Sequence, residues 1–129
     1  MARPTSGRPT DQELEILKVL WDRGPSTVRD VWKAIAETRD IGPTSVLKIM
    51  QIMRQKKLLV CNARRRPQVY RTRQSQQATL KHLAGDLLRR AFGGSAKSLL
   101  LHALGHERAT SQELAEIRQL LDEIEGKVP

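Results

Sequence analysis

The sequence predicts a mainly α-helical protein in two parts, with a short β-hairpin closing the first part. Apolar residues recur at intervals of three and four along most of the chain, which is the period of helices that bury one face. Residues 58–73 differ, because two short β-leaning runs there flank an arginine-rich turn. The first 73 residues hold 16 basic and 7 acidic residues, whereas the remaining 56 hold seven of each, so the first part carries the whole net charge of +9.

Length and composition limit the organisation of the chain. Its 129 residues suit a disordered proline- and glycine-bearing tail over residues 1–9, a first domain over residues 10–73 and a helical second domain over residues 74–129. Cys61 is the single cysteine, so an intrachain disulfide is excluded and we expect a small buried or half-buried apolar side chain. No signal peptide or apolar run of roughly 18 residues occurs, so we expect a cytoplasmic protein without a membrane partner.

Two capped helices open the first domain. Thr10 and Glu13 have the spacing of a capping box, and Gly24 followed by Pro25 predicts the end of the first helix. Thr27, with an acid three residues later, indicates a second cap. We expect the second helix to close around residues 39–42.

A third helix is predicted to begin at Pro43, because proline fits the first helical position, where its missing N–H costs nothing. Its apolar stripe runs from Val46 to Met53 at helical spacing. At about 100° per residue, the opposite face carries short hydrogen-bonding and positively charged side chains. That face is centred on Thr44, Lys48, Gln51 and Gln55, with Ser45 and Ile52 flanking it.

A polar helix followed by an arginine-tipped hairpin is typical of a winged helix-turn-helix, here N-terminal, and predicts a transcription repressor that binds a double-stranded DNA operator. In the major groove Lys48 suits guanine, and Gln51 suits adenine. Thr44 and Ser45, at the helix start, suit a phosphate. The exposed amide of Gln55 belongs to the same recognition surface.

Apolar and cationic side chains complete the predicted interface. Leu47 or Ile52 either rests against a thymine methyl group or packs against neighbouring elements, and the sequence leaves both open. No acidic residue occurs between Asp40 and Asp86, so a polyanion is the expected partner. The arginines at the tip of the hairpin are expected on the DNA backbone or in the adjacent minor groove, and the flanking cations are expected to supply positive field and phosphate contacts. They are Lys56, Lys57, Arg64, Arg65, Arg66, Arg71 and Arg73.

The second part predicts a helical dimerisation domain. Ser75 caps one leucine-rich helix, a short helix follows over residues 95–104, and Thr110 opens a third with the spacing of a capping box. These helices carry more apolar surface than about 55 residues can bury, which favours a homodimer. The predicted interface residues are Leu80, Leu83, Leu87, Leu88, Phe92, Leu100, Leu104, Leu114, Ile117, Leu121 and Ile124.

Short segments in a fixed order carry a family resemblance from Thr10 to Glu125. They are Thr10, residues 13–17, Leu20-Trp21, Gly24-Pro25, residues 27–31, residues 43–46, residues 56–59, Val69-Tyr70 and residues 92–95. Together they resemble the BlaI/MecI/CopY penicillinase-repressor family. The resemblance implies a homodimer with an N-terminal winged helix, a palindromic operator, and repression until an inducing signal arrives.

The chain departs from that family at several positions. Lys48, Ile52 and Lys57 stand where the family usually has threonine, arginine and glycine, so the operator sequence of relatives cannot be carried over.

The resemblance implies a sensor protease or another inducing partner. In the best-known members the protease cuts an Asn-Phe bond, and the aligned dipeptide here is His102-Ala103. The paired cysteines of the copper-responsive branch are absent from the sequence.

Other interpretations are also open. His102 and His106, four residues apart, permit a metal-responsive regulator, but without a suitably spaced third ligand we expect ordinary histidines, no metal and no cofactor. A winged helix that contacts an acidic protein is a further alternative. Four aromatic residues are few for stacking single-stranded bases. No phosphate-binding loop or nucleophile elbow occurs, so we expect no enzyme.

Overall fold

The computed structural model describes residues 8–106 and 109–126. Most of the predicted tail, residues 1–7, lies outside the described residues. The chain divides into two compact units, residues 1–83 and 84–129. In chain order the elements are α1 Asp11–Arg23, β1 Ser26–Thr27, α2 Val28–Ala36, α3 Pro43–Gln55, β2 Leu59–Cys61, β3 Val69–Thr72, α4 Gln76–Phe92, α5 Ala96–His106 and α6 Ser111–Ile124. This confirms the predicted fold class, a mainly α chain with a winged helix followed by a helical segment.

Both capping boxes predicted in the first unit are present. The Thr10 hydroxyl accepts from the Glu13 N–H at 3.2 Å, and the Glu13 carboxylate accepts from the Thr10 N–H at 2.9 Å. Thr27 and Asp30 form the same reciprocal pair at the start of α2. The hydrogen bond from the Thr27 backbone is the main reason why the pKa of Asp30 lies below its usual value. Each box satisfies amides that the helix itself leaves unbonded.

The first two helices end in different ways, α1 at a glycine and α2 in a turn. Gly24 ends α1 with φ +86, a left-handed conformation that glycine adopts without a Cβ clash. The α2 helix ends at Ala36, earlier than predicted, and residues 37–39 follow in a turn in which the N–H groups of Thr38 and Arg39 both donate to the Ile35 carbonyl, at 3.1 and 3.0 Å. The Trp32 indole then donates to the Ile41 carbonyl at 2.7 Å, which ties α2 to the segment that precedes α3.

One hydrophobic core joins the first three helices to the sheet. At about 1.5–3 kcal/mol for each fully buried side chain, this core is the main term that holds α3 in place. Burial, and then the neighbouring Cys61, raises the pKa of the Tyr70 phenol. Cys61 itself is half-buried, as predicted. The buried core side chains are Ile16, Leu17, Leu20, Val31, Ile35, Val46, Met50, Met53, Leu59 and Tyr70.

The sheet contains the predicted hairpin and one strand that the sequence did not reveal. The strand order is β1-β3-β2, and both pairs are antiparallel. Leu59 lies opposite Thr72, and Cys61 lies opposite Tyr70. The unpredicted strand β1 pairs Ser26 with Tyr70, so it joins the hairpin to the loop between α1 and α2.

In the second part of the chain, serine and threonine caps open the helices, as predicted at Ser75 and Thr110 and in addition at Ser95. Ser75 Oγ accepts from the Ala78 N–H, and Ser95 Oγ accepts from the Ser98 N–H, both at 3.1 Å. The Thr110 hydroxyl accepts from the Glu113 N–H at 3.0 Å, but the reciprocal bond is missing within residues 109–126, so that capping box is half formed. Among the described residues, no helix combines the length and apolar character needed to cross a membrane.

Candidate nucleic-acid interface

The face of α3 that points away from the core is polar and exposed. The buried side chains of this helix are Val46, Met50 and Met53, which lie on one side. The side chains centred on the opposite side, all exposed, are Thr44, Lys48, Gln51 and Gln55. Helical geometry therefore gives one surface with a hydroxyl, an amine and two amides, which are groups that hydrogen-bond base edges and phosphates.

The N-terminus of α3 is open to a ligand. Gly42 precedes the helix and supplies no capping side chain, and Pro43 occupies the first turn. Thr44 and Ser45 are exposed beside the first-turn amides. Unbonded amides and the helix dipole together favour an anion at such a position, so a phosphate oxygen fits here.

Two apolar side chains of α3 lie outside the core. Leu47 is 37% exposed and Ile52 is 43% exposed. They flank the polar residues on opposite edges of the outward face, because a separation of five residues corresponds to about 140° around the helix. Neither belongs to the cluster of buried core side chains.

The hairpin between β2 and β3 presents arginines at its tip. Asn62 organises the turn, since its side-chain oxygen accepts from the Arg64 N–H at 3.0 Å and its carbonyl accepts from the Arg65 N–H at 3.2 Å. Arg64, Arg65 and Arg66 are all exposed. A short polar turn therefore holds three guanidinium groups within a segment free of carboxylate side chains from residue 41 to residue 85.

The cations beside the hairpin have two different environments. Lys57, Arg71 and Arg73 are exposed. Lys56 is half-buried, and its amine donates to Glu13 Oε1 at 2.7 Å. The sequence predicts Lys56 among the DNA-facing cations, whereas the structure pairs its charge with a buried carboxylate.

The junction after α3 is unusual at Lys57. This residue adopts φ 65, the left-handed region that normally favours glycine. The next amide, that of Leu58, donates back to the Met53 carbonyl at 2.9 Å and closes the end of the helix. The turn directs the chain from α3 into β2, so it sets where the arginine-bearing hairpin starts.

The helices after the hairpin expose leucine and isoleucine side chains. Leu101 is 67% exposed and Ile124 is 73% exposed. In α4 and in α6, whose residues are all described, no side chain is buried. The other large apolar side chains exposed on these helices are Leu80, Leu87, Leu100, Leu104, Leu120 and Leu121. Of the remaining predicted dimerisation residues, Leu83, Leu88, Phe92, Leu114 and Ile117 are half-buried.

Of the two histidines considered for a metal site, the structure describes the side chain of His102 only. His102 Nδ1 lies 2.8 Å from the Ser98 carbonyl, and its ring lies 5.6 Å from that of Phe92. The side chain of His106 lies outside the described residues. Among the residues that are described, no group of three or more His, Cys, Asp or Glu is placed to hold a metal ion.

Comparison with known proteins identifies the family. The model of the penicillinase repressor family matches residues 9–123, which is most of the chain and spans α1 through nearly all of α6. This chain belongs to the penicillinase repressor family. The resemblance carried by the sequence segments is thereby confirmed. Because the family consists of transcriptional repressors, the prediction of a regulator rather than an enzyme is confirmed as well.

Individual penicillinase repressor relatives match over nearly their whole length. The chain is 24% identical to the penicillinase repressor of Bacillus licheniformis over 114 residues, which cover 88% of this chain and 89% of the relative. It is 30% identical to the transcriptional regulator BlaI of Mycobacterium tuberculosis over 118 residues, which cover 90% of this chain and 84% of the relative.

Two features of this repressor were not identified from the sequence. Arg54 is exposed on α3 beside the polar face. Its position on the helical wheel would have been enough to include it among the predicted DNA-facing cations. The pairing of Lys56 with Glu13 could not be seen in the local sequence, because Glu13 lies in α1, Lys56 directly follows α3 and 43 residues separate the two.

Proposed function

We propose that this penicillinase repressor homologue represses transcription by binding double-stranded DNA sequence-specifically through α3 and the β2–β3 hairpin. The observation that carries the proposal is the exposed polar face of α3, which belongs to the same compact unit as three exposed arginines. A positive net charge of +9 within the first 73 residues supplies attraction to the phosphates.

In this proposal α3 enters the major groove with its polar face toward the base edges. Lys48 donates to guanine O6 or N7, and the Gln51 amide forms two hydrogen bonds with adenine N6 and N7. Gln55 contacts a base edge or a backbone oxygen further along the groove. Thr44 and Ser45 hold a phosphate at the helix N-terminus, which sets the depth and register of the helix.

The hairpin and its flanks provide sequence-independent affinity. Arg64, Arg65 and Arg66 lie along the backbone or in the adjacent minor groove, where guanidinium groups bind phosphates and the narrow groove favours positive charge. Lys57, Arg71 and Arg73 add phosphate contacts, and Arg54 adds a cation at the edge of α3. We leave Lys56 out of this set, because Glu13 already neutralises its charge within the protein.

We further propose that two copies pair through α4, α5 and α6 and that the dimer binds a palindromic operator. The exposed leucines of these helices and Ile124 favour an apolar partner, and a two-fold dimer presents two α3 helices to two symmetric half-sites. Sedimentation should show a dimer at micromolar concentration. Leu121→Asp should shift it to monomer, with the exposed Lys97→Asp as a control that also introduces an aspartate. A monomeric unsubstituted protein would refute the pairing.

An inducing partner remains part of the proposal, with a sensor protease as one candidate. His102 and Ala103 lie exposed within α5. A protease that cuts there would require α5 to unwind locally, because proteases bind extended segments. Incubation with a candidate sensor protease, followed by mass spectrometry of the fragments, would locate or exclude the cut.

Selection of bound sequences from a random pool of duplex DNA tests the DNA-binding proposal. We expect enrichment of an inverted repeat whose half-sites lie about one helical turn apart, or a multiple of it. Footprinting should then show protection of that discrete repeat. A pool without any enriched sequence would contradict the proposal and would favour the alternative that the winged helix contacts an acidic protein.

A further inference from the structure

Ile52 lies on the outward face of α3 within a row of otherwise polar side chains. Thr44, Lys48 and Ile52 are spaced by four residues, so they follow one another along the same side of the helix. With a rise of 1.5 Å per residue, Ile52 lies about 6 Å beyond Lys48, which is close to two base-pair steps. Its side chain is 43% exposed and does not belong to the cluster of buried core side chains.

Exposure of one apolar side chain is common on protein surfaces and is not by itself evidence of a binding role. The position of Ile52 is what distinguishes it. It lies at the edge of the polar face, with Lys48 and Gln55 on one side and Ser45 on the other. Isoleucine has a lower helix propensity than lysine or glutamine, so local stability does not account for it.

The floor of the major groove offers one exposed apolar group to such a side chain, the C5 methyl of thymine. A β-branched side chain in a helix is stiff about χ1, so Ile52 loses little rotational freedom when it contacts a methyl group. The neighbouring Lys48 meanwhile meets the hydrogen-bonding edge of a nearby base pair.

We propose that Ile52 is a specificity-determining residue that reads the C5 methyl group of a thymine about two base pairs from the base contacted by Lys48. This inference rests on the proposed binding of duplex DNA by α3. It adds an apolar contact to a surface whose other readout depends on hydrogen bonds.

Replacement of thymine by deoxyuridine tests the assignment, because it removes the methyl group and leaves the base-pair hydrogen bonds unchanged. Each thymine of one half-site of the selected duplex is replaced in turn, and the dissociation constant is measured for the unsubstituted protein, for Ile52→Ala and for Gln55→Ala. One position should weaken binding of the unsubstituted protein about fourfold, the factor expected for one buried methyl group. At that position Ile52→Ala should bind both duplexes equally, whereas Gln55→Ala should keep the fourfold ratio.

The outcomes separate this assignment from the proposed function. If the protein selects a duplex but no deoxyuridine replacement weakens binding, the methyl contact is refuted while DNA recognition stands. If the fourfold ratio persists in Ile52→Ala, the methyl group is read by another residue and the assignment to Ile52 is wrong. If no duplex is selected at all, the proposed function fails and this inference fails with it. Thermal unfolding of Ile52→Ala should match that of the unsubstituted protein, because the side chain is exposed.

Discussion

Lys56 and Glu13 form an ion pair that joins the end of α3 to the start of α1. The Lys56 amine lies 2.7 Å from Glu13 Oε1, and the same oxygen accepts from the Thr10 N–H at 2.9 Å. The Glu13 side chain is 5% exposed and that of Lys56 is 19% exposed. One carboxylate therefore caps the first helix and also fixes the residue from which the chain turns toward the hairpin.

Removal of the lysine charge should destabilise the fold. Lys56→Met leaves the Glu13 carboxylate buried without its cation, and we expect a loss of about 2–4 kcal/mol in the free energy of unfolding, measured in urea. Arg39→Met is the matched control, because Arg39 pairs with Glu15 at a more exposed site and should lose less than about 1 kcal/mol. Equal losses in the two variants would show that burial of the Glu13 pair has no energetic consequence.

Stability at acidic pH should depend on Asp30. Its pKa is lowered in the folded state, chiefly by the hydrogen bond from the Thr27 backbone, so its contribution to stability is present above the ordinary value of 3.8. That contribution is lost as pH falls through the lower, folded-state pKa. The stability difference between the unsubstituted protein and Asp30→Asn should therefore be largest near neutral pH and should shrink below pH 3.8. A difference that stays constant in urea titrations from neutral pH to about pH 3 would contradict this.

Lys48 should contribute to sequence preference. Lys48→Ala should weaken binding to the selected duplex by about 1–3 kcal/mol and relax the preference at one base position in each half-site. Dissociation constants on all single-base variants of one half-site provide the measurement. If the variant lost equal affinity for the selected duplex and for random duplex, Lys48 would be a phosphate contact only.

The arginine triplet should behave in the opposite way. Replacement of Arg64, Arg65 and Arg66 by alanine should weaken binding to every duplex by a similar factor, because phosphate contacts carry no sequence information. The dependence of log K on log salt should become shallower by about 0.9 for each phosphate that the variant no longer neutralises. A reduction in affinity confined to the selected sequence would instead assign base contacts to the hairpin.

Local features of the fold were predictable because their causes lie within a few residues. The caps at Thr10, Thr27 and Ser75 follow from hydrogen bonds across three residues, and Pro43 marks the start of α3 through its own ring. Gly24 likewise ends α1 because its backbone tolerates a positive φ.

Features that depend on distant partners could not be predicted in this way. The two-residue strand β1 exists only because Ser26 and Thr27 meet Tyr70 and Val69 across the fold. The ion pair of Lys56 likewise depends on how α1 and α3 pack. The outward direction of Lys48, Gln51 and Ile52 was predictable from helical periodicity, whereas the DNA sequence that they are proposed to contact depends on a partner that the chain does not encode.

The most direct measurement of the central claim is the affinity ratio between the selected duplex and a scrambled duplex of equal length at physiological salt. Specific recognition by α3 predicts a ratio of about 10³ or more, because base contacts add to the sequence-independent attraction of the arginines. A ratio near one would mean that the protein holds DNA through charge alone, and it would contradict the assignment of α3 as a recognition helix.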